Sequence, residues 1–235
     1  MNTESDDILT LSELADYLKV AEKSVLRMVR RGELPGAKVA SQWRFMRAVV
    51  DDWLMARMRS ATKTGLFELV EHVQTPVRLS RLLDDSAIML NVQPGSKENV
   101  LRQLVAPLVR SQAITDADTF VARLLERESI VSTAVGGGLA FPHMRDPEAC
   151  PIDRPALILG VCPAGTDFEA IDHAPTYVFV LVAVTNDVVH LKVMAELALI
   201  FRDPAVCLAV QRATSVSAVR QLLIAREQQF LAPVS

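Results

Sequence analysis

No stretch of the 235-residue sequence stays apolar for longer than the run from Tyr177 to Val184. A membrane-spanning helix needs about 20 apolar residues, so insertion into a membrane through a helix is excluded. The first residues, Met1 to Asp7, are polar and acidic and lack the apolar stretch of a secretory signal. Both absences predict a soluble protein that stays in the cytoplasm. Cysteine is also scarce. Cys150, Cys162 and Cys207 are odd in number and far apart, which argues against a disulfide framework and against a zinc site. They read as reduced thiols in a core, and no metal or cofactor is expected. Aromatic residues make up only 5% of the chain, yet half of the residues are apolar and 23% are charged. That balance is neither collagen-like nor disordered. The length suffices for one ordinary core and a smaller one.

The net charge is −3, which by itself argues against nucleic acid, but the charges are unevenly spread. From Lys19 to Arg47 the chain carries Lys19, Lys23, Arg27, Arg30, Arg31, Lys38, Arg44 and Arg47 against Glu22 and Glu33, a local charge of +6, so the remainder carries −9. A basic patch on an acidic protein is a localised electrostatic footprint; the alternative is a solvated helix face.

The basic segment has a recognisable local grammar. Thr10 and Glu13 fit a capping box, and Leu11, Leu14, Ala15 and Leu18 follow at helical spacing. A break near Lys19 to Ala21 precedes a second helix with Val25, Met28 and Val29 inward and Gly32 as its stop. That helix turns Lys23, Ser24, Arg27, Arg30 and Arg31 outward. Leu34 to Phe45 reads as two short strands around a turn at Ala40–Ser41, with Val39, Trp43 and Phe45 as apolar positions and Trp43 in the core. A third helix from Arg47 to Met58 packs Val50, Trp53 and Leu54 against the rest. Helix, turn, basic helix, hairpin and closing helix make a winged helix-turn-helix, whose second helix enters the major groove. The run LTLSELADYLKVAEKSVLRMVRRGELPGAKVASQWRFMRAVVDDWL resembles the excisionase-type, MerR-like helix-turn-helix family. The resemblance implies contacts to double-stranded DNA from Lys23, Ser24, Arg27, Arg30 and Arg31, and wing contacts from Gln42 and Arg44. Ala21 departs from the family, which places Ser or Thr at that cap. One such domain makes few phosphate contacts, so a homodimer or a second DNA-bound partner is implied.

Residues 1–58 are thus expected to form one domain and 59–78 a linker. Leu66, Phe67, Leu69, Val70 and Val73 suggest a short helix in the linker, a candidate for dimerisation, and His72 reads as exposed. The second domain, 79–235, opens with Leu79, Leu82, Leu83, Ile88 and Leu90. A helix from Ser96 carries Val100, Leu104 and Leu108, and another from Asp116 to Glu126 carries Phe120, Val121, Leu124 and Leu125. Ala156 to Cys162 and Thr176 to Val184 are short, continuously apolar and rich in Val, the pattern of buried strands. Val189 to Phe201 is a further helix. Alternation of this kind predicts a layered α/β domain.

Between the second helix and the first buried strand lies RESIVSTAVGGGLAFPHMRDP. Gly136 to Gly138 allow close approach of backbone N–H groups to a ligand. No Lys–Ser/Thr follows them, which excludes a nucleoside triphosphate site of the P-loop type. Pro142 holds the backbone beside His143, and a neutral imidazole is a nucleophile able to form a covalent intermediate. Arg127 and His190 are candidates to stabilise incoming phosphoryl charge. The blocks RES..ST..G.G.A.PH, FEAID..P and HL...AELA, in that order, resemble the enzyme IIA domain of the mannitol/fructose class, including its nitrogen-regulatory branch, in the bacterial phosphoenolpyruvate-dependent phosphotransferase system. The resemblance covers Leu79 to Phe230 and implies a mixed sheet covered by helices, an α+β variant of the layered fold. It implies that His143 is phosphorylated, that His190 is the second active-site histidine, that Arg127 is the supporting cation, and that Ser132 and Thr133 bind phosphoryl oxygens. It also implies a histidine phosphocarrier protein as donor and a IIB-type protein as acceptor. Two positions depart from the family: Met144, where a small residue is usual and where crowding of the docking surface is expected, and Val184 in place of a proline. His173 matches no functional residue and reads as surface. Three functions follow: a regulator in which phosphorylation controls DNA binding, a transport phosphocarrier with an N-terminal docking module, and a sensor that no longer accepts phosphate.

Overall fold

Thr10 opens the first helix through both halves of its capping box. A computed structural model describes residues 8–60, 78–144, 150 and 152–231. The chain divides into two compact units, Met1–His72 and Val73–Ser235. In the first unit, the Glu13 N–H donates to Thr10 Oγ1 at 3.3 Å and the Thr10 N–H donates to Glu13 Oε2 at 2.8 Å, ahead of helix α1 (Leu11–Tyr17). The Thr10 amide holds the Glu13 carboxyl below its ordinary range. Helix α2 (Glu22–Arg30) starts at Ala21 with no side-chain cap, so its first amides lack the partner a Ser or Thr would supply. It buries Val25 and Val29. Gly32, at φ +68°, ends it: the Gly32 N–H donates to Val29 O at 3.0 Å and the Glu33 N–H to Met28 O at 2.9 Å, a Schellman closure.

The expected hairpin is β2 (Ala37–Val39) and β3 (Gln42–Met46), paired Ala37↔Arg44 and Val39↔Gln42. Ala40 and Ser41 make the turn with φ of +45° and +68°, the sign pattern of a type I′ hairpin, without glycine. Replacing Ala40–Ser41 by Asn–Gly is expected to stabilise this unit by about 1 kcal/mol, because Asn and Gly enter the left-handed region with less strain. Chemical denaturation followed at the tryptophans checks this. The sheet also holds a strand outside the expected elements: β1 (Ile8–Leu9) pairs antiparallel with β3, Ile8 opposite Met46. Two residues carry no readable period, so only pairing reveals them. Helix α3 (Arg47–Ser60) follows β3 at once and runs two residues past the expected end. Trp43 is half-buried and stacked on Phe45, with centroids 6.4 Å apart, whereas Val39 is 57% exposed on the wing rather than in the core. The expected helix within 66–73 and His72 lie outside the described residues.

The second unit is built from helix α4 (Leu79–Leu82), a turn of 3-10 helix at Asp85–Ala87, β4 (Ile88–Met89), α5 (Lys97–Arg110), α6 (Ala117–Glu128), β5 (Ala134–Gly136), β6 (Leu139–Ala140), β7 (Ala156–Thr166), β8 (Thr176–Ala183), α7 (Asp187–Ile200), α8 (Pro204–Gln211) and α9 (Val216–Leu231). Ser96, Asp116, Asn186 and Asp203 cap α5, α6, α7 and α8, each accepting from an amide in the first turn. The sheet runs in the order β4–β7–β8–β6–β5 and is mixed: β7 and β8 are antiparallel, with Leu157 opposite Val182 and Val161 opposite Val178, and β4 and β6 flank them in parallel. The layered α/β expectation thus holds, including the mixed sheet.

The continuous apolar character of β7 and β8 reflects burial on both faces. Leu157, Leu159 and Val180 face Leu197, Ile200, Phe201, Leu223 and Ile224 of the C-terminal helices across an apolar hollow. Gly160 faces the other way: a Cβ there would lie 2.5 Å from Leu104 Cδ2 of α5 and 2.9 Å from Val92 Cγ2. Gly160→Ala is expected to cost about 1–3 kcal/mol by overpacking, which a shift in the thermal midpoint would show. The short hairpin β5–β6 has no counterpart among the expected elements, because its glycines break any strand period. Helix α6 extends to Glu128 rather than Glu126. That extension matters, since it carries both Arg127 and Glu128 on a rigid helical turn.

Candidate functional site

The last turn of α6 faces the end of the segment that follows β6. Arg127 Nε donates to His143 Nε2 at 3.3 Å, and Arg127 Nη1 donates to the Val131 carbonyl at 2.7 Å, which fixes the guanidinium. His143 continues the sheet: it forms a parallel bridge with Val182, whose N–H donates to the Pro142 carbonyl at 2.8 Å. His143 Nδ1 lies 2.8 Å from the carbonyl oxygen of Phe141. A carbonyl only accepts, so Nδ1 carries the proton and the Nε2 lone pair receives the Arg127 hydrogen bond. Nε2 is therefore the nitrogen that faces the Arg127 guanidinium. His190, in the first turn of α7, sets its ring 4.9 Å from that of His143 at an interplanar angle of 40°. Arg127, His143 and His190, 63 positions apart at the extremes, thus share one site in the second unit.

Ser132 and Thr133 flank this site with their hydroxyls engaged. Ser132 Oγ donates to the Phe168 carbonyl at 2.7 Å and accepts from the Ala134 N–H at 3.3 Å. The Thr133 hydroxyl donates to Glu128 Oε1, and its N–H donates to Glu128 Oε2 at 3.1 Å. The three glycines serve a turn. Gly136, Gly137 and Gly138 have φ of +79°, +63° and +77°, all in the left-handed region. The Gly137 N–H donates to Asp172 Oδ2 at 2.7 Å, so this amide is committed to the protein and is not open to a ligand as expected. Hydrogen bonds from the Gly137 and Ala174 amides hold the Asp172 carboxyl below its usual range. The FEAID block is explained in the same way: Phe168 packs edge-on against Phe179 at 5.1 Å, and Asp172 anchors the glycine turn. Glu128 and Asp172 carried no signal in the sequence beyond their place in the two motif blocks. Met144 is buried, whereas His173 is exposed at φ +57°. Burial raises the thiols of Cys150 and Cys162 above the ordinary range, as suits unreactive side chains.

In the first unit the basic residues of α2 form a stripe. Lys23, Arg27 and Arg30 are exposed at helical spacing, one turn apart, and Ser24 beside them is half-buried. Arg31 caps the helix, 64% exposed in its side chain and 3.8 Å from Glu33. Across the hairpin, Gln42 is exposed and Arg44 half-buried. Arg44 Nη2 donates to Gln42 Oε1 at 2.7 Å and Nη1 to the Trp43 carbonyl at 2.9 Å, so the guanidinium is held against the wing. Lys38, exposed on β2, adds a charge to the same hairpin.

Comparison with known proteins bears on both units. Residues 81–225 match the family described as phosphoenolpyruvate-dependent sugar phosphotransferase system, EIIA 2, and residues 8–58 match a helix-turn-helix domain. A nitrogen regulatory protein of Pseudomonas aeruginosa is 31% identical over 152 residues, covering 63% of this chain and 96% of that protein. A mannitol-specific phosphotransferase enzyme IIA component of Staphylococcus aureus is 29% identical over 145 residues, covering 61% and 96%. A fructose-specific EIIABC component from Bacillus subtilis is 29% identical over 123 residues, 52% of this chain, and the chain spans 19% of its length. The crystal structure of the nitrogen regulatory protein IIA-Ntr from Neisseria meningitidis matches with a TM-score of 0.56 at 25% identity, over 61% of this chain and 97% of that one. Among the described residues no helix is long and apolar enough to cross a membrane. By its matched region and by the shape of its second unit, the chain belongs to the EIIA 2 family of the phosphoenolpyruvate-dependent sugar phosphotransferase system and carries a helix-turn-helix domain ahead of the EIIA portion.

Proposed function

We propose that this protein is a phosphohistidine-carrying regulator of the cytoplasm, in which phosphoryl transfer to His143 controls DNA binding by the helix-turn-helix domain. Two modules, 1–58 and 79–235, joined by a linker at 59–78, divide the two tasks. The observation that carries the chemical half is the environment of His143: Nδ1 donates to the Phe141 carbonyl while Nε2 faces the Arg127 guanidinium. A phosphorylated histidine phosphocarrier presents its phosphoryl group, and His143 Nε2 attacks phosphorus with its lone pair. The new N–P bond forms as the carrier's N–P bond breaks, and the carrier's nitrogen keeps that electron pair. The phosphoryl oxygens enter beside Arg127, whose charge opposes theirs. His190 supplies a second imidazole beside the acceptor ring, able to donate a hydrogen bond to a phosphoryl oxygen. Ser132 and Thr133 contribute by shaping the loop beside the phosphoryl group, since their hydroxyl protons are already used.

The regulatory half rests on the Lys23–Arg27–Arg30 stripe. A phosphoryl group adds about −1.5 to −2 charges, enough to shift an equilibrium between DNA-competent and incompetent states, with a homodimer supplying the second half-site. Incubation with phosphoenolpyruvate, enzyme I and a histidine phosphocarrier, followed by DNA-binding titrations of both forms, tests the reading. Salt-sensitive DNA binding that differs between the forms is expected; no DNA binding in either form would sink the regulatory half. The mannitol-specific relative favours a second reading, a transport phosphocarrier that passes the group to a IIB-type protein. Under that reading the phosphoryl group moves on to a IIB-type acceptor and DNA is ignored.

A further inference from the structure

Glu128 occupies a poor position for a carboxylate. It is the last residue of α6, where the helix macrodipole is negative, and it is 4% exposed. Burial raises its carboxyl above the ordinary range, so the charged form is disfavoured there. Both oxygens are nevertheless in use. Oε2 accepts the Thr133 N–H at 3.1 Å and Oε1 accepts the Thr133 hydroxyl. Lys97, at the start of α5, brings its Nζ within 3.6 Å of the carboxylate. Lys97 is itself held by Glu169 at 2.9 Å and by the Phe168 ring, whose centroid is 5.4 Å away.

The arrangement continues beyond Thr133. The Thr133 carbonyl accepts the Phe141 N–H at 3.0 Å, and the Phe141 carbonyl accepts the His143 Nδ1 proton at 2.8 Å. Arg127, the neighbour of Glu128 in sequence, holds Nε2 directly. One helix end therefore sets both nitrogens of the same imidazole, one by contact and one through two residues. From this chain of contacts we propose that Glu128 is a positioning residue for His143: through Thr133 and Phe141 it fixes the carbonyl that holds the ring in its Nδ1–H form, with Nε2 presented. Lys97 Nζ, 3.6 Å away, works against the effect of burial on Glu128 and helps hold its carboxylate in place. The consequence for phosphoryl transfer rests on His143 being the acceptor; the consequence for the tautomer does not.

Reach rather than charge governs the role of Glu128. Glu128→Asp keeps the charge but withdraws the carboxylate by one methylene from Thr133, whereas Glu128→Gln keeps the length and an acceptor oxygen without the charge. In full-length protein labelled with ¹⁵N-histidine, imidazole ¹H–¹⁵N spectra report the His143 tautomer without any phosphocarrier, and His143→Gln assigns its signals. In the Asp variant the Nδ1–H population of His143 is expected to fall, and the rate of phosphoryl uptake to drop about 10- to 100-fold, by analogy with the loss of an outer hydrogen-bond partner behind a metal-bound histidine. The Gln variant is expected to recover the Nδ1–H form and most of the rate that the Asp variant forfeits. An Asp variant with an unchanged tautomer, or one as fast as the wild type, would overturn the inference. A wild type that takes up no phosphate removes the acceptor reading instead, and the tautomer comparison still decides the role of Glu128.

Discussion

Full-length protein carrying His143→Ala is expected to take up no phosphoryl group from a charged histidine phosphocarrier, while the wild type acquires an acid-labile one. The effect is total because the substitution removes the imidazole whose Nε2 faces Arg127. The other imidazole, His190, lies across a 4.9 Å ring separation. Arg127→Met leaves the nucleophile but removes the cation that meets the phosphoryl oxygens. Its uptake rate is expected to fall about 100- to 1000-fold, the range for deleting one charge-stabilising donor at a reacting centre. Because Arg127 also anchors on the Val131 carbonyl, a thermal melt separates loss of chemistry from loss of fold. Time courses of ³²P transfer with all three proteins measure both numbers. Phosphate retained on the His143→Ala protein would place the acceptor elsewhere.

The second large effect concerns the basic stripe of α2. The pair Lys23→Glu and Arg27→Glu is expected to abolish measurable DNA binding at moderate salt, weakening it about 100-fold or more. The change lowers the charge of the segment from Lys19 to Arg47 from +6 to +2. For every DNA phosphate that the variant no longer neutralises, the slope of log affinity against log salt should also flatten by about 0.9. The choice of residues protects the helix. Lys23 lies in the first turn, where an acid suits the macrodipole, and Arg27 lies toward the end, where it does not, so the two changes offset. Neither residue is part of the buried Val25–Val29 face. Electrophoretic mobility shifts or fluorescence anisotropy over a salt series would check this. An unaltered salt slope would move the DNA-binding surface away from α2.

Much of the fold and of the site is legible in the residues themselves, for identifiable reasons. Capping residues act within one turn, so Thr10, Ser96 and Asp116 mark helix starts at the positions observed. The strands β7 and β8 are apolar on both faces because helices cover both, which makes them continuous runs in the sequence. Histidine, arginine and the motif blocks single out Arg127, His143 and His190, and these three residues meet. Other features leave no local trace. β1 exists only because β3 offers it an edge, and β5–β6 only because three glycines can take positive φ. Gly160 looks like any strand glycine until Leu104 and Val92 are seen packed over it.

Composition and local pattern alone thus determined the division of labour along the chain: a basic helix-turn-helix segment first, then a layered domain with a histidine after a proline. They act over a few residues, and short-range rules suffice to read them. Tertiary structure alone decided which nitrogen of His143 faces Arg127, since that depends on a carbonyl at Phe141 and a guanidinium on a separate helix. It also decided that the Gly137 amide answers to Asp172, and that Glu128 reaches His143 through Thr133 and Phe141. Hydrogen bonds between distant segments have direction and reach that no sequence spacing encodes, so the chemistry of the site becomes definite only when the sheet and its helices close around it.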